Sequence, residues 1–149
     1  MQVYRITLAK YSGSLVASGN AARWNPKDVF MIYTASSRSL ACLENVVNRD
    51  QLGLMQPFNV LTIDCPISIK IKDVPIQKLP ANWRDYDQMS LTQSIGENWI
   101  RENRSAILKV PSAIIEEDAN YLLNPKHPDF KLIKIVKTQP FVFDSRIKR

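Results

Sequence analysis

Short apolar runs rich in β-favouring residues recur along the chain, and prolines, glycines or polar residues bound them. Such runs predict buried strands over residues 3–8, 29–33, 59–65, 106–110, 132–136 and 141–143. Residues 67–72 instead alternate isoleucine with serine or lysine, which predicts a half-buried strand with its lysines in water.

Two segments repeat apolar residues at helical spacing. The first follows Ser36 or Ser37, either of which is a suitable N-cap. The residues predicted to face the core from this helix are Leu40, Leu43 and Val47. The second helix covers residues 92–103, and its predicted apolar face consists of Leu91, Ile95 and Trp99.

The remaining segments predict loops over residues 10–26, 48–57, 74–86 and 120–128, and a helical turn at residues 116–118. Strands and helices of this kind predict an α+β fold with short mixed or antiparallel strands and a few helices. No repeat or linker divides the chain, so we expect one domain over residues 1–149.

The composition is that of an ordinary globular protein. The chain has 149 residues, 45% hydrophobic and 23% charged, which is enough to bury a substantial core. No apolar run is long enough to cross a membrane, and the N-terminus lacks the apolar centre of a signal peptide. Cys42 and Cys65 have no metal-ligand spacing and are expected to be reduced thiols, as in a cytoplasmic protein.

The net charge of +6 raises the alternative of a nucleic-acid-binding module. However, the lysines are scattered, the basic cluster at residues 146–149 is typical of a frayed tail, and no aromatic platform is interleaved with basic residues. Other common sites are missing: the sequence has no glycine-rich phosphate loop, no nucleophile elbow and only one histidine, His127. We therefore expect no metal site.

Three residues on different local elements suggest one cleft. Arg23 lies in a polar loop, Tyr33 ends an apolar run, and Glu44 borders the apolar stripe of the first helix. Arginine can clamp a phosphate or carboxylate, tyrosine offers a flat face and a hydroxyl, and glutamate can act as a base or stabilise a cation. The combination suits a substrate with a phosphate, a flat ring and a cleavable bond between them. Taken singly, each residue also has an ordinary structural interpretation, as a surface arginine, a core tyrosine or an interfacial glutamate.

The chain resembles the RES-domain family, the toxins of bacterial toxin–antitoxin pairs, over nearly its whole length. The matching blocks are ARWN at 22–25, VFMIYTA at 29–35, LACLE at 40–44, LPANW at 79–83, VPSAI at 110–114 and LLNPKHPDF at 122–130. The arginine, glutamate and serine that give the family its name match Arg23, Glu44 and Ser112, and its active-site tyrosine matches Tyr33. The family usually has glycines before the Arg-Trp-Asn motif, where this chain has Ala21 and Ala22. A turn requiring positive φ there would strain an alanine.

The resemblance implies an ADP-ribosyltransferase-like fold and cleavage of NAD+ at the nicotinamide–ribose bond, with water or phosphate as the acceptor. NAD+ is then a substrate, and no separate cofactor is expected. Arg23 would bind a phosphate, Tyr33 would frame the nicotinamide, and Glu44 would stabilise the cationic ribosyl centre or orient the acceptor. Ser112 and Asn124 would complete the wall with hydrogen bonds to ribose or phosphate.

The resemblance also implies a bacterial cytoplasmic location and a partner. That partner is an Xre-type antitoxin with a helix-turn-helix part, which would cover the cleft. Any contact with DNA would be made by the antitoxin, not by the toxin itself. Two further functions stay open: a protein ADP-ribosyltransferase that uses the same site, and a nucleic-acid-binding module. The acceptor, the oligomeric state and the antitoxin interface do not follow from the sequence.

Overall fold

A single seven-stranded sheet organises the computed structural model, which describes residues 1–148. Its strands are β1 (Gln2–Leu8), β2 (Ile32–Ala35), β3 (Phe58–Asp64), β4 (Ile71–Asp73), β5 (Ile107–Pro111), β6 (Ala119–Leu123) and β7 (Lys134–Phe141). The spatial order is β4-β5-β6-β2-β1-β3-β7, and all neighbours are antiparallel except the parallel pair β4–β5. The α+β class predicted from the sequence is confirmed.

Within residues 1–148, α-helices occupy three segments: α1 (Arg38–Asn48), α2 (Gln51–Leu54) and α3 (Met89–Glu102). Short 3-10 helices cover Ala9–Tyr11, Ile76–Lys78, Tyr86–Gln88 and Pro128–Leu132. Ser37 is the N-cap of α1, and its side chain accepts a hydrogen bond from the backbone N–H of Leu40 at 3.1 Å, as its position predicted. In the described part of the chain, none of the helices has both the length and the apolarity needed to cross a membrane.

Both long helices cover the same face of the sheet. On β2, Ile32 packs into the cluster on one face, whereas Tyr33 and Ala35 contact clusters on the other face. That second face carries two clusters. The cluster beneath α3 includes Trp24, Trp83, Trp99, Leu108 and Leu122, and the cluster beneath α1 includes Ile6, Ala35, Leu40, Phe58 and Val60. We call the part of this face between the two helices, over β2 and β6, the furrow.

The strand predicted over residues 29–33 starts later, at Ile32. Asp28 adopts φ 67°, and the backbone N–H of Val29 donates to the carbonyl of Pro26 at 3.2 Å. Asp tolerates this left-handed backbone better than most residues, so the chain turns before it can become extended.

The strand predicted over residues 67–72 is mostly wrong. The backbone N–H of Ile69 donates to the carbonyl of Pro66, which forms a turn, and Ile67 is 99% exposed. Only Ile71–Asp73 form a strand, and this edge strand is exposed throughout. The alternation of apolar and polar residues arose from a turn and an edge rather than from a half-buried pleat.

The C-terminal third of the chain also differs from the strands and loops predicted from the sequence. Ala119–Leu123, predicted mostly as loop, form β6, an interior strand between β5 and β2, while Lys134–Phe141 form one strand where two were predicted. In β6 the buried Asn120 interrupts the apolar run and conceals the strand. Residues 116–118 form a turn rather than a helical turn.

The two helices bury slightly different faces from those predicted. In α1, Leu40 and Ala41 are buried and Val46 packs beside them, whereas Val47 is 56% exposed. In α3, the most buried residues are Thr92, Gly96 and Trp99, with Ile95 packed beside them. A residue as small as Gly96 lets α3 approach the loop that carries Arg23.

Candidate active site

Arg23, Tyr33 and Glu44 come together in the furrow between α1 and α3. Tyr33 projects from β2, Glu44 from α1, and Arg23 from the loop before β2. Burial raises the pKa of the Tyr33 hydroxyl, the Glu44 carboxylate adds to this rise, and a hydrogen bond from the Trp24 backbone and the Arg23 charge oppose it. The three groups are thus close enough to act on one another, as the sequence predicted for the cleft. Their catalytic roles stay predictions.

The Tyr33 hydroxyl is engaged in holding the Arg23 loop. It donates to Asn25 Oδ1 at 2.6 Å and accepts from the backbone N–H of Trp24 at 3.1 Å. At the other end of the residue, the Tyr33 carbonyl accepts from Arg5 Nη1 at 2.9 Å. Because both polar ends are engaged, a ligand can use only the aromatic ring of Tyr33, which also packs against the cluster beneath α3.

Asn25 is the centre of the loop, and sequence reasoning missed it. Its amide nitrogen lies within hydrogen-bonding distance of the carbonyls of Asn20, Pro26 and Val29, at 2.9, 3.1 and 3.0 Å. Asn25 is 2% exposed, so these bonds satisfy a polar group that would otherwise be costly to bury. Its place in the ARWN block was the available signal.

Helix α3 fixes the backbone on either side of Arg23. The Thr92 hydroxyl donates to the Arg23 carbonyl at 2.6 Å, and Gln93 Nε2 donates to the Ala22 carbonyl at 2.9 Å. A Cβ atom at Gly96 would overlap the carbonyl oxygen of Trp24. The loop therefore lies directly against the helix, and only glycine permits that approach.

The alanines before Arg23 are compatible with this loop. Among residues 1–148, the non-glycine residues with positive φ are Asp28 and Asn103, and Gly19 is the glycine that adopts it. Neither Ala21 nor Ala22 is in that region, so the turn does not require glycine at either position. The strain that alanine would suffer in a positive-φ turn is not present.

Glu44 lies on the face of α1 that borders the furrow. Burial raises the pKa of its carboxyl group, while the side chain of Asn120 and the charge of Arg23 pull the pKa back down. Asn120 projects from β6 and is 8% exposed. It is a further site residue that sequence reasoning missed, because an asparagine between apolar residues resembles a loop. A carboxylate with a raised pKa is a stronger proton acceptor than an ordinary carboxylate.

Arg23 keeps most of its hydrogen-bonding capacity. Its Nη1 donates to the backbone carbonyl of Arg84 at 3.1 Å, and its guanidinium carbon lies 5.7 Å from the centroid of the Trp83 ring. Within residues 1–148, no carboxylate oxygen lies within 4.0 Å of it. The remaining N–H groups can therefore serve an anionic ligand.

Ser112 lies at the same end of the sheet as Asn120. It follows β5 directly and is fully buried, with 0% exposure. Its Oγ accepts from the backbone N–H groups of Ile114 and Ile115, both at 3.0 Å. Its hydroxyl proton donates to none of the described residues. Ser112 thus shapes the turn after β5, beside the furrow.

Asn124 does not belong to the same wall as Ser112. Pro111 pairs with Ala119 at one end of the β5–β6 ladder, and Ile107 pairs with Leu123 at the other end. Ser112 and Asn124 therefore lie beyond opposite ends, roughly 20 Å apart at the usual rise per strand residue.

The side-chain amide of Asn124 serves local structure instead. It donates to Asn103 Oδ1 at 2.8 Å and accepts from the backbone N–H of Lys126 at 3.0 Å. The predicted grouping of Asn124 with Ser112 is corrected accordingly.

A solved structure has the same overall fold. The structure is similar to the toxin–antitoxin complex MbcT–MbcA of M. tuberculosis, with a TM-score of 0.74 over 95% of this chain and 84% of that chain. The sequence identity is 19%, so this likeness shows the fold alone.

The family follows from the sequence comparison. The model of the RES domain matches residues 2–144, and the chain belongs to the RES-domain family. It is 36% identical to the "Prs ADP-ribosylating toxin" of Sphingobium sp. (strain YBL2), covering 93% of this chain and 85% of that relative. It is 35% identical to "Toxin Res" of Yersinia enterocolitica, covering 99% of this chain and 100% of that relative. A "Toxin Res" of Photorhabdus laumondii is 36% identical and is covered over 97% of its length.

Proposed function

We propose that this chain is the toxin of a type II toxin–antitoxin pair and degrades NAD+ by cleaving the nicotinamide–ribose bond, which arrests growth. The convergence of Arg23, Tyr33 and Glu44 in one furrow is the observation that carries the proposal. Membership of the RES-domain family and the toxin names of its relatives support it.

Each of the three residues has a role that its surroundings favour. Arg23 binds the pyrophosphate through N–H groups that no carboxylate within 4.0 Å occupies in the described structure, and charge-assisted bonds of this kind contribute about 1.5–3 kcal/mol each. The ring of Tyr33 frames the nicotinamide, because its hydroxyl is already engaged with Asn25 and Trp24. Glu44 lies where its negative charge can stabilise a cationic ribosyl centre.

The proposed reaction has a balanced course. The glycosidic C–N bond breaks, and its electron pair leaves with nicotinamide, which becomes neutral. The ribosyl carbon develops positive charge, as in glycoside hydrolysis. An oxygen of water or phosphate then bonds to that carbon. When the acceptor is water, its proton passes to the Glu44 carboxylate, whose pKa burial has raised.

A second candidate uses the same site. In a protein ADP-ribosyltransferase, a side chain of a target protein replaces water or phosphate as the acceptor. One relative is named an ADP-ribosylating toxin, which favours this candidate over a nucleic-acid-binding module. Labelled NAD+ incubated with the chain and a bacterial lysate separates the two NAD+-consuming reactions, because the label enters protein in one case and small molecules in the other.

The proposed partner is an Xre-type antitoxin. The structural neighbour is a toxin in complex with its antitoxin, and a toxic NAD+ consumer must be restrained in its own cell. The antitoxin would cover the furrow and block access to Glu44. Nicotinamide release should then stop once one antitoxin molecule has been added for each toxin active site.

The experiment for the main proposal is nicotinamide release from NAD+ by the purified chain, with and without inorganic phosphate. Glu44→Gln should fold normally and lose nearly all release. Glu117→Gln is a matched control, because Glu117 is exposed and forms no ion pair within residues 1–148. Full release by Glu44→Gln would remove Glu44 from the chemistry. Phosphate dependence would identify the acceptor. No release by a folded wild type, even with lysate, would leave two interpretations, an inactive member of the family or a nucleic-acid-binding module.

A further inference from the structure

The Trp83 ring has two guanidinium groups beside it. The guanidinium carbon of Arg84 lies 5.1 Å from the ring centroid, and that of Arg23 lies 5.7 Å from it. Arg23 also donates to the Arg84 carbonyl at 3.1 Å. Among residues 1–148, no other ring has two cations this close. Two like charges are therefore held near each other by one buried indole.

The cluster formed by Arg23, Trp83 and Arg84 presents donors and lacks a counter-ion. Asp85 and Asp87 follow in the chain, yet in the described structure no carboxylate oxygen lies within 4.0 Å of either guanidinium. The Trp83 Nε1 is buried and has no hydrogen-bond partner among the described residues. Two guanidinium groups without a carboxylate partner are the chemical complement of a multiply charged anion.

The position of the cluster ties it to the candidate active site. Arg23 belongs to both, and Thr92 of α3 fixes its backbone. Arg84 is only partly buried, so solvent and ligands can reach it. Trp83 is 1% exposed, and the surrounding core holds its ring in place. Because both guanidinium groups lie beside the same ring, an anion bound to Arg23 lies in the neighbourhood of Arg84.

We propose that Arg84 is a second anion-binding residue, which acts with Arg23 on a phosphate-type group. This inference rests on the proposed function for the identity of that group: the pyrophosphate of the dinucleotide or the inorganic phosphate acceptor. Arginine is suited to both, because its planar fork binds two phosphate oxygens at once. Stacking on Trp83 holds that fork in place before the ligand arrives.

Isothermal titration of the full chain with inorganic pyrophosphate, inorganic phosphate and NAD+ tests the inference. The Glu44→Gln background prevents turnover during the NAD+ titration. Arg84→Ala is compared with Arg84→Lys and with Arg104→Ala as the control. Arg104 is exposed and lies beyond the far end of α3, about 15 Å of helix from Thr92, and its loss changes the net charge equally.

We expect Arg84→Ala to weaken pyrophosphate binding by about tenfold or more. Arg84→Lys should recover part of that loss, since it restores the charge without the fork, and Arg104→Ala should leave affinity unchanged. A merely structural Arg84 would lower the melting temperature and leave affinity intact. A parallel loss for NAD+ assigns the site to the substrate, and a loss confined to inorganic phosphate assigns it to the acceptor.

The outcomes separate this inference from the proposed function. Unchanged affinity of Arg84→Ala for all three ligands overturns the inference and leaves the proposed function standing. Pyrophosphate binding that requires Arg84, in a chain that does not bind NAD+, supports the anion site and contradicts the proposed function. A wild-type chain that binds none of the three ligands overturns both.

Discussion

Replacement of Gly96 by alanine tests whether close contact between α3 and the Arg23 loop positions the site. The new Cβ would overlap the Trp24 carbonyl oxygen and approach Met31 Cε to 3.1 Å. A backbone carbonyl held in a loop cannot move aside as a flexible side chain can, so the loop must shift. The hydrogen bonds from Thr92 and Gln93 to this loop, at 2.6 and 2.9 Å, would then be strained or lost.

Two opposing effects decide the sign of the change in stability. Alanine is favoured over glycine within a helix by about 1 kcal/mol, so propensity alone predicts stabilisation. Overpacking costs about 1–3 kcal/mol, and a strained or lost hydrogen bond adds about 1 kcal/mol. The net expectation is a loss of about 1–3 kcal/mol, or a fall of several degrees in melting temperature. A shift of about 1 Å at Arg23 should also lower turnover about 100-fold.

Thermal unfolding and nicotinamide release are measured together for Gly96→Ala. Gly13→Ala is the matched control, because a Cβ at Gly13 has no heavy atom within 4 Å. The control should keep the wild-type melting temperature and activity. A Gly96→Ala variant that melts at a higher temperature than the wild type and turns over NAD+ normally would refute the reasoning.

Three further predictions follow from the site. Tyr33→Phe leaves Asn25 Oδ1 without its donor and should lower the free energy of unfolding, measured in urea, by about 1–3 kcal/mol. Tyr86 is 85% exposed, so the control Tyr86→Phe should leave the free energy of unfolding unchanged. The pKa of Glu44 is raised in the folded state, so its contribution to the free energy of unfolding falls as pH rises from the ordinary value of 4.5 through the folded pKa. Glu44→Gln should remove this pH dependence of stability. A variant whose stability depends on pH as the wild type's does would contradict the burial of Glu44. Asn124→Ala should destabilise the fold by about 1–3 kcal/mol without weakening NAD+ binding, and a selective loss of affinity would return Asn124 to the site.

The parts of the fold that local pattern determines were predicted well. Strands β1 and β3 match their predictions within about one residue at each end, because both are rich in β-favouring residues and pair with a neighbouring strand on each side. The start of α1 was predicted from Ser36 or Ser37, and the cap that Ser37 forms is a local interaction. By contrast, β6 contains the buried Asn120, whose partners come from β2 and α1 far along the chain.

The site shows the same division. The order loop, strand, helix was sufficient to predict that Arg23, Tyr33 and Glu44 converge. The contacts that fix Arg23 could not be predicted, since Thr92 and Arg84 lie 69 and 61 residues away in sequence. Asn124 was wrongly grouped with Ser112, because their separation depends on how β5 and β6 pair. The sequence pattern does not determine that pairing.

The most direct test of the central claim is the NAD+ content of bacterial cells after induction of the chain without its antitoxin. Wild type and Glu44→Gln are induced to equal protein levels, and NAD+ is measured at intervals alongside growth. We predict that NAD+ falls before growth stops in the wild type, and that neither change occurs with Glu44→Gln. Growth arrest by the wild type while NAD+ stays constant would contradict the account.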